Sequence, residues 1–239
     1  MLKFLSSLIF SILLVSCSSV PSPLLITKAN AVSLPGPVVR LTWEGTFRGT
    51  GFAVNAEGCV VTASHVVEYI SEIAVEDSNK IIEASYETVG QSVIDDIAIL
   101  CPKKIWGNYK FSSYFTFKRN AYDITVNTPI QVTGYDHDNL RYETHQLWFI
   151  GIDTVLIYPQ QWKDSLRFVG KNNKQGRLVP IKPGYSGSPV YTESGLLYGM
   201  VVGVAQSRGK SDPEWAVAVP SDTIMRVLDT HKIAYESRY

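Results

Sequence analysis

The feature that most constrains the fold is a succession of short apolar segments, separated by Gly, Asn, Asp and Glu. Apolar and β-branched runs of this length at regular spacing are typical of β-sandwiches and β-barrels. Six strands are predicted at 38–43, 50–54, 59–63, 73–75, 81–86 and 97–101, and six more at 130–135, 146–152, 178–181, 190–191, 196–205 and 215–219. The pattern therefore indicates an all-β chain with two barrels of about six strands each.

Two helical segments interrupt this pattern. A helical turn is predicted over 63–69, and a terminal helix over 221–233 has Ser221 as its cap and Ile224, Val227 and Leu228 on one face. Because these three apolar residues share a face, we expect the terminal helix to pack on the second barrel.

The segment PGYSGSP, residues 183–189, places Ser186 between two glycines. Glycine reaches backbone angles and close approaches that a Cβ forbids, so the serine hydroxyl can be exposed on a tight turn. A serine is a weak nucleophile unless a base takes its proton and donors stabilise the oxyanion. The segment can therefore supply a nucleophile only if a base and an orienting acid are present elsewhere in the chain.

Those partners are His65, in the segment TASHVV, and Asp96, in the segment DDIAIL. Among the unrelated scaffolds that assemble a Ser-His-Asp triad, the chymotrypsin double barrel has the chain order His, Asp, Ser. With GTGF at 49–52, these motifs resemble the trypsin/chymotrypsin-like serine peptidases, and most closely the bacterial HtrA/Deg-type branch. The resemblance covers residues 37–239 and implies a chymotrypsin-like double six-stranded β-barrel with a C-terminal helix and no PDZ domain.

The resemblance implies a catalytic role for each motif residue. His65 is the general base, Asp96 fixes its tautomer and Ser186 is the nucleophile. The backbone N–H groups of Gly184 and Ser186 form the oxyanion hole. Asp95 is the rival acid, but adjacent side chains on an extended segment point to opposite faces. We therefore expect Asp95 to be solvated.

Other residues near these motifs are expected to have ordinary roles. Tyr185 stands where peptidases activated by propeptide cleavage carry an aspartate, which argues against that mode of activation. The hydroxyl of Ser188 is expected to bond to nearby backbone. The remaining histidines, His137, His145 and His231, are expected in loops or on the surface.

The resemblance also implies where substrate binds. The pocket walls should come from the residues before the nucleophile and from two later strands, and no acidic residue lines the expected floor. Apolar walls favour small or medium aliphatic side chains, and the edge of strand 202–205 would bind substrate backbone as an added strand. The substrate-binding residues are Pro180, Ile181, Val202, Gly203, Val204 and Trp215.

The N-terminus has the composition of an export signal. Residues 1–16 contain Lys3 and an apolar run that is too short for a membrane span of about 20 residues. The run ends in LVSC, which resembles a bacterial lipobox with Cys17 as the lipidated residue; a simple secretory signal with a chance cysteine is the alternative. Residues 17–36 are predicted to be a flexible tether and 37–239 the peptidase domain, with barrels at about 37–115 and 125–220 and the helix at about 221–234.

Cys59 and Cys101 lie on the strands that flank His65 and Asp96. In an oxidising compartment two cysteines invite a disulfide, and the resemblance places these strands side by side. Cross-strand disulfides nevertheless need a specific geometry. We expect unpaired thiols, with a disulfide as the alternative.

The sequence as a whole predicts a serine endopeptidase of the cell envelope, lipid-anchored to a bacterial membrane (the outer membrane or its periplasmic face if the cell is Gram-negative). Its substrates would be proteins or peptides, and the enzyme would need no metal or cofactor. A formal net charge of +0 gives no electrostatic footprint for nucleic acid. A non-catalytic peptide-binding module, or an esterase with the same triad, are the alternatives.

Overall fold

The computed structural model describes residues 33–34, 37–76, 84–103, 110–157, 161–169, 181–205 and 215–239. The predicted signal segment, Cys17 and most of the predicted tether lie outside the described residues, as does Pro180. A short strand β1 (Ser33–Leu34) pairs in parallel with β8 (Lys110–Phe111), in the segment between the two barrels.

The first barrel is closed and consists of six antiparallel strands. They are β2 (Val38–Trp43), β3 (Thr46–Ala53), β4 (Val60–Thr62), β5 (Glu72–Glu76), β6 (Ala84–Ser92) and β7 (Ile97–Pro102). Their order around the barrel is β2-β3-β4-β7-β6-β5. This confirms the predicted first barrel, and its interior is filled by the apolar residues of the predicted strands, such as Leu41, Phe52, Val61 and Ile99.

The second barrel is also closed by six strands, with two short strands attached outside the ring. The eight strands are β9 (Thr116–Lys118), β10 (Pro129–Tyr135), β11 (Tyr142–Ile157), β12 (Gln161–Val169), β13 (Pro189–Tyr191), β14 (Leu196–Ala205), β15 (Trp215–Pro220) and β16 (Glu236–Arg238). The ring runs β13-β10-β11-β12-β15-β14 and closes because β14 also pairs with β13. The sequence did not predict β12, β9 or β16, and the strand that it predicted over 178–181 lies outside the described residues except for Ile181.

The terminal helix α1 (Ser221–Thr230) follows the second barrel directly. Ile224, Val227 and Leu228 are buried on its inner face, as predicted, within a cluster that also contains first-barrel residues. The prediction that Ser221 caps the helix was wrong, because Pro220 occupies the N-cap position and the Ser221 hydroxyl donates to the Lys118 carbonyl at 2.5 Å. In the described part of the chain, no helix has the length and apolar character needed to cross a bilayer.

The expectation that Cys59 and Cys101 are unpaired thiols was wrong, since the two residues form a disulfide. Strand β4 pairs with β7 in the register Val60 opposite Leu100. The next position along this register places Cys59 opposite Cys101, with their Cα atoms 4.3 Å apart. Residues directly opposite each other in an antiparallel pair reach this separation without any backbone movement.

Candidate active site

His65 and Asp96 are brought together by the pairing of β4 with β7. His65 lies in a 3-10 turn, Ser64–Val66, shortly after the end of β4, and Asp96 stands directly before β7. The Nδ1 atom of His65 is 2.8 Å from Asp96 Oδ2, and the His65 backbone N–H donates to Asp96 Oδ1 at 3.0 Å. The Asp96 side chain is 1% exposed and that of His65 is 28% exposed. A buried carboxylate therefore orients an imidazole that remains accessible from outside.

The local backbone around Asp96 differs from the extended segment that the sequence suggested. Asp96 has φ +54° and lies in a turn, with its N–H donating to the Val93 carbonyl at 3.3 Å. Its own carbonyl accepts the Ser64 N–H at 3.1 Å, which ties this turn to the residue before His65. The alternation argument used to choose between the two aspartates was wrong, although Asp96 is the one that contacts His65.

Asp95 is not solvated, contrary to expectation. Its side chain is 13% exposed, accepts a hydrogen bond from Ser92 Oγ at 2.8 Å and lies 3.5 Å from Arg226 Nη2 on α1. Both Asp95 and Asp96 are therefore engaged, one with the terminal helix and the other with His65. The two neighbouring carboxylates therefore make contacts with different parts of the structure.

The loop that carries Ser186 is fixed to both barrels through its backbone. The Ser186 carbonyl accepts the Thr50 N–H of β3 at 3.0 Å, and the Gly187 N–H donates to the Val201 carbonyl of β14 at 2.8 Å. Gly187 has φ +87°, and a Cβ there would lie 2.0 Å from the Thr50 carbonyl oxygen. Only glycine fits at this position, because the backbone conformation and the contact with β3 both exclude a side chain.

The Ser186 loop and the His65 turn meet beside Gly49. A Cβ placed on Gly49 would lie 2.8 Å from Val66 Cγ2 and 3.1 Å from the Ser186 carbonyl oxygen. The residue after His65 and the backbone of Ser186 therefore both contact the same point on β3. The structure thus brings all three motif segments to one region, where the half-buried Ser186 lies between the barrels.

Two backbone donors in the loop are available to a ligand. The N–H groups of Tyr185, Gly187 and Ser188 donate to protein carbonyls. Within the described residues, the N–H groups of Gly184 and Ser186 have no protein acceptor. Such a pair of unused N–H groups, on either side of the residue before the nucleophile, is what an oxyanion hole requires.

The expectation that the Ser188 hydroxyl bonds to nearby backbone was wrong. The residue is fully buried, and its Oγ has no hydrogen-bond partner in the described part of the chain. The hydroxyl points at Gly134 of β10, where a Cβ would lie 2.2 Å from it. Ser188 therefore packs inside the protein, where its hydroxyl contacts Gly134 without a hydrogen bond to the described residues.

The predicted substrate-binding residues fall into two groups. Ile181 is 6% exposed and belongs to the second-barrel core. The other described members lie on β14 and β15, where Ala205 is paired with Trp215 and a bulge falls between Val201 and Gly203. Val204 is 44% exposed, and a Cβ on Gly203 would have no atom within 4 Å.

This end of β14 has an open edge. From Gly203 to Ala205 it pairs with β15 on one side, and among the described residues no strand pairs with the other side. Next to it, Trp215 is half-buried and stacks under the Arg167 guanidinium, 5.3 Å from the ring centroid. An extended peptide could add to this edge as a further strand.

The structure also brings polar residues to the loop that the sequence did not single out. His145, expected in a loop or on the surface, lies on β11 with its Nε2 atom 2.9 Å from the Tyr185 hydroxyl. Asp136, which is fully buried, accepts a hydrogen bond from Lys182 Nζ at 2.7 Å. This contact lowers the pKa of Asp136 and raises that of Lys182. No local sequence signal could have found these pairs, since each joins residues about forty positions apart.

The other two histidines fit the expectation in part. His137 is a surface residue, with its side chain 57% exposed. His231 follows α1, and its ring packs against Gly90 of β6, where a Cβ would lie 2.6 Å from it. The backbone N–H of His137 donates to the carbonyl of Pro183, the first residue of the nucleophile segment, at 3.0 Å.

Comparison with known proteins identifies the family of this chain. The sequence matches the family described as "Trypsin-like peptidase domain" over residues 49–200, which is more than half of the chain. The chain therefore belongs to the trypsin-like peptidase domain family. No match is found among curated protein sequences.

Three solved proteases have the same fold as this chain. The active form of the Rv3671c protease from M. tuberculosis is 17% identical with a TM-score of 0.62, covering 84% of this chain and 82% of that one. The MamO protease domain from Magnetospirillum magneticum is 17% identical with a TM-score of 0.63, covering 81% and 96%. The HtrA-type protease AlgW with a decapeptide is 15% identical with a TM-score of 0.62, covering 87% and 68%. At these identities the likeness concerns the fold, which is the double barrel described above.

Proposed function

We propose that this trypsin-like peptidase is a serine endopeptidase that uses His65, Asp96 and Ser186 as its triad. The observation that supports this most directly is the 2.8 Å contact between His65 Nδ1 and the buried carboxylate of Asp96. A buried carboxylate on Nδ1 fixes the tautomer whose Nε2 is free to accept a proton. The unused N–H groups of Gly184 and Ser186 support the same assignment.

The proposed reaction proceeds in two halves. The Nε2 atom of His65 takes the proton of Ser186 Oγ as the oxygen forms a bond to the scissile carbonyl carbon, and the resulting oxyanion accepts hydrogen bonds from the Gly184 and Ser186 N–H groups. His65 then gives its proton to the leaving amine as the C–N bond breaks, which leaves an acyl-enzyme. A water, deprotonated by His65, attacks the acyl carbon, and the proton returns to Ser186 as the acid product leaves.

The substrate is proposed to be an extended protein segment. The open edge of β14 at Gly203 and Val204 can pair with its backbone, which requires an unfolded or exposed stretch. Apolar neighbours such as Val202 favour a small or medium aliphatic side chain at the cleaved bond, because neither β14 nor β15, as the structure describes them, contains a carboxylate that could pair with Lys or Arg.

The cellular location is proposed from the sequence alone. Cys17, at the end of the apolar run, would carry the lipid, and residues 18–36 would connect it to the first barrel. The peptidase would then act in the cell envelope on substrates near the membrane.

A peptide library tests the function. Products of the purified peptidase domain would be identified by mass spectrometry, with Ser186→Ala as the matched control. The proposal predicts internal cleavage after small or medium aliphatic residues by the wild type and none by Ser186→Ala. Hydrolysis of esters without peptide cleavage would replace the peptidase by an esterase, and binding of peptides without turnover would make the domain a binding module.

A further inference from the structure

The side chain of Tyr185, directly before Ser186, is held inside the second barrel. Tyr185 is fully buried, and its hydroxyl lies 2.9 Å from His145 Nε2 on β11. The two rings also pack against each other, with centroids 5.4 Å apart and planes inclined by 39°. The nucleophile loop is therefore anchored to β11 through one side-chain hydrogen bond and one ring contact.

The hairpin formed by β10 and β11 has room for the Tyr185 ring at Gly134. Gly134 of β10 packs against the Tyr185 ring, because a Cβ at Gly134 would lie 2.8 Å from Tyr185 Cδ1. Glu143 is paired with Gly134 across the hairpin, and its Oε2 atom lies 3.5 Å from His145 Nε2. The absence of a side chain at Gly134 lets Tyr185 reach His145.

The protonation states of Tyr185 and His145 bear on which of the two donates this hydrogen bond. Burial raises the pKa of Tyr185, so the phenol keeps its proton, and burial lowers the pKa of His145 from its ordinary value of 6.5. Glu143 and Asp136 oppose the lowering at His145, while Lys182 adds to it. At neutral pH the imidazole is therefore uncharged, and in its Nδ1–H tautomer Nε2 accepts the hydrogen bond that the Tyr185 hydroxyl donates.

Tyr185 lies between the two backbone donors of the proposed oxyanion hole. Gly184 and Gly187 both have positive φ, +100° and +87°, so the loop on either side of Tyr185 consists of residues that can adopt several conformations. Between these glycines, the Tyr185 side chain adds a contact with β11 to the backbone hydrogen bonds of the loop, in which the Tyr185 N–H donates to the Lys182 carbonyl at 3.2 Å and the Tyr185 carbonyl accepts the Ser188 N–H at 2.9 Å. A rotation of the Tyr185–Ser186 peptide would turn the Ser186 N–H away from the position of the oxyanion, and a rotation of the Pro183–Gly184 peptide would do the same to the Gly184 N–H.

We propose that Tyr185 and His145 are positioning residues, whose mutual hydrogen bond holds the Gly184 and Ser186 N–H groups in the orientation that the oxyanion needs. This inference rests on the proposed serine peptidase function. It adds a residue of β11, distant in sequence from the three motifs, to the determinants of the reaction rate. Neither residue touches the substrate.

A double-mutant cycle tests the inference. Tyr185→Phe keeps the ring and removes only the hydroxyl, and His145→Leu removes the acceptor. We expect each change to lower kcat about tenfold with KM within about twofold, the size of one lost buried hydrogen bond. If the two residues act through one bond, the double variant is no slower than the slower single variant. Additive losses, or a wild-type kcat in Tyr185→Phe, would overturn the inference.

Two matched variants control for loss of a phenol or an imidazole elsewhere. Tyr191→Phe removes a hydroxyl on β13 that lies 2.6 Å from Thr133 Oγ1 on β10, and His137→Leu removes an exposed imidazole near the loop. Both should keep kcat within about twofold. A tenfold loss in either control would show that the cycle reports general packing, and would overturn the specific role of the Tyr185–His145 bond.

The pH dependence provides a second readout that needs only Tyr185→Phe. Protonation of Nε2 removes the acceptor for the Tyr185 hydroxyl, so the wild type loses the benefit of this bond as pH falls below 6.5 and through the lowered pKa of His145. The ratio of wild-type to Tyr185→Phe kcat/KM should therefore fall from about tenfold towards one. Effects of pH that are common to both enzymes cancel in the ratio.

A ratio that stays constant with pH would overturn the inference even if His145→Leu fails to fold. Ser186→Ala, measured in parallel, separates this outcome from failure of the proposed function. If Ser186→Ala retains wild-type turnover, the triad assignment fails; if it is inactive while the ratio is constant, only the positioning role fails.

Discussion

Replacing Asp96 by asparagine disturbs the hydrogen bonds that orient His65. One carboxylate oxygen accepts the His65 backbone N–H at 3.0 Å, and the other lies 2.8 Å from Nδ1. An amide has one acceptor oxygen. If that oxygen keeps the backbone bond, the NH₂ group faces Nδ1 and favours the tautomer that carries its proton on Nε2. This tautomer cannot accept the proton of Ser186.

The magnitude follows from the tautomer argument. The wrong tautomer lowers kcat by about 10⁴-fold, which corresponds to about 5.4 kcal/mol of transition-state stabilisation. Asp95→Asn is the matched control, because it makes the same chemical change one residue away. It weakens a 3.5 Å contact with Arg226, whose side chain is 66% exposed, and such exposed pairs contribute less than about 1 kcal/mol to stability. Its kcat should stay within about threefold of the wild type.

Both variants would be assayed on the same fluorogenic peptide at saturating concentration, with circular dichroism to confirm that each is folded. The quantity that decides is the ratio of kcat for Asp95→Asn to kcat for Asp96→Asn. If Asp95→Asn is as slow as Asp96→Asn, or slower, the role assigned to Asp96 is wrong. Equal and near-wild-type rates in both would remove the triad from the mechanism.

Three further changes have defined outcomes. Reducing the Cys59–Cys101 disulfide, which spans 42 positions, should lower the free energy of unfolding by about 4 kcal/mol in urea titrations, and an unchanged midpoint would contradict the pairing. Gly187→Ala should yield little folded, active enzyme, because a positive φ alone costs about 1–2 kcal/mol and its Cβ would lie 2.0 Å from the Thr50 carbonyl oxygen; wild-type thermal stability would refute this contact. Cys17→Ala should move the protein from the membrane fraction to the soluble fraction, since lipid chains gain about 0.8 kcal/mol per buried methylene; continued sedimentation with membranes would argue against the lipid anchor.

Much of the double barrel could be predicted because its strands are short, apolar and separated by polar residues. The strands next to His65 and Asp96 follow this pattern closely, and the structure places their ends next to each other. Strand β12 was not predicted because Asp164 and Arg167 interrupt its apolar residues. Strands β9 and β16 have three residues each, too few for any periodicity to be recognised.

Contacts that depend on register or on distant segments could not be derived from local sequence. The Cys59–Cys101 disulfide requires that β4 and β7 pair with one particular offset, which two isolated strands do not specify. The contact of His145 with Tyr185 depends on the path of the nucleophile loop into the second barrel. The turn at Asp96 likewise depends on tertiary contacts, because a positive φ is uncommon for any residue other than glycine and no local pattern marks it here.

The most direct test of the central claim is to label the purified domain with a fluorophosphonate probe and to map the modified residue by mass spectrometry. The probe reacts covalently with a serine hydroxyl that a neighbouring base activates. We predict a single modification on Ser186 in the wild type, strongly slowed labelling in His65→Ala and none in Ser186→Ala. Labelling of another serine, or equal labelling of wild type and Ser186→Ala, would contradict the account.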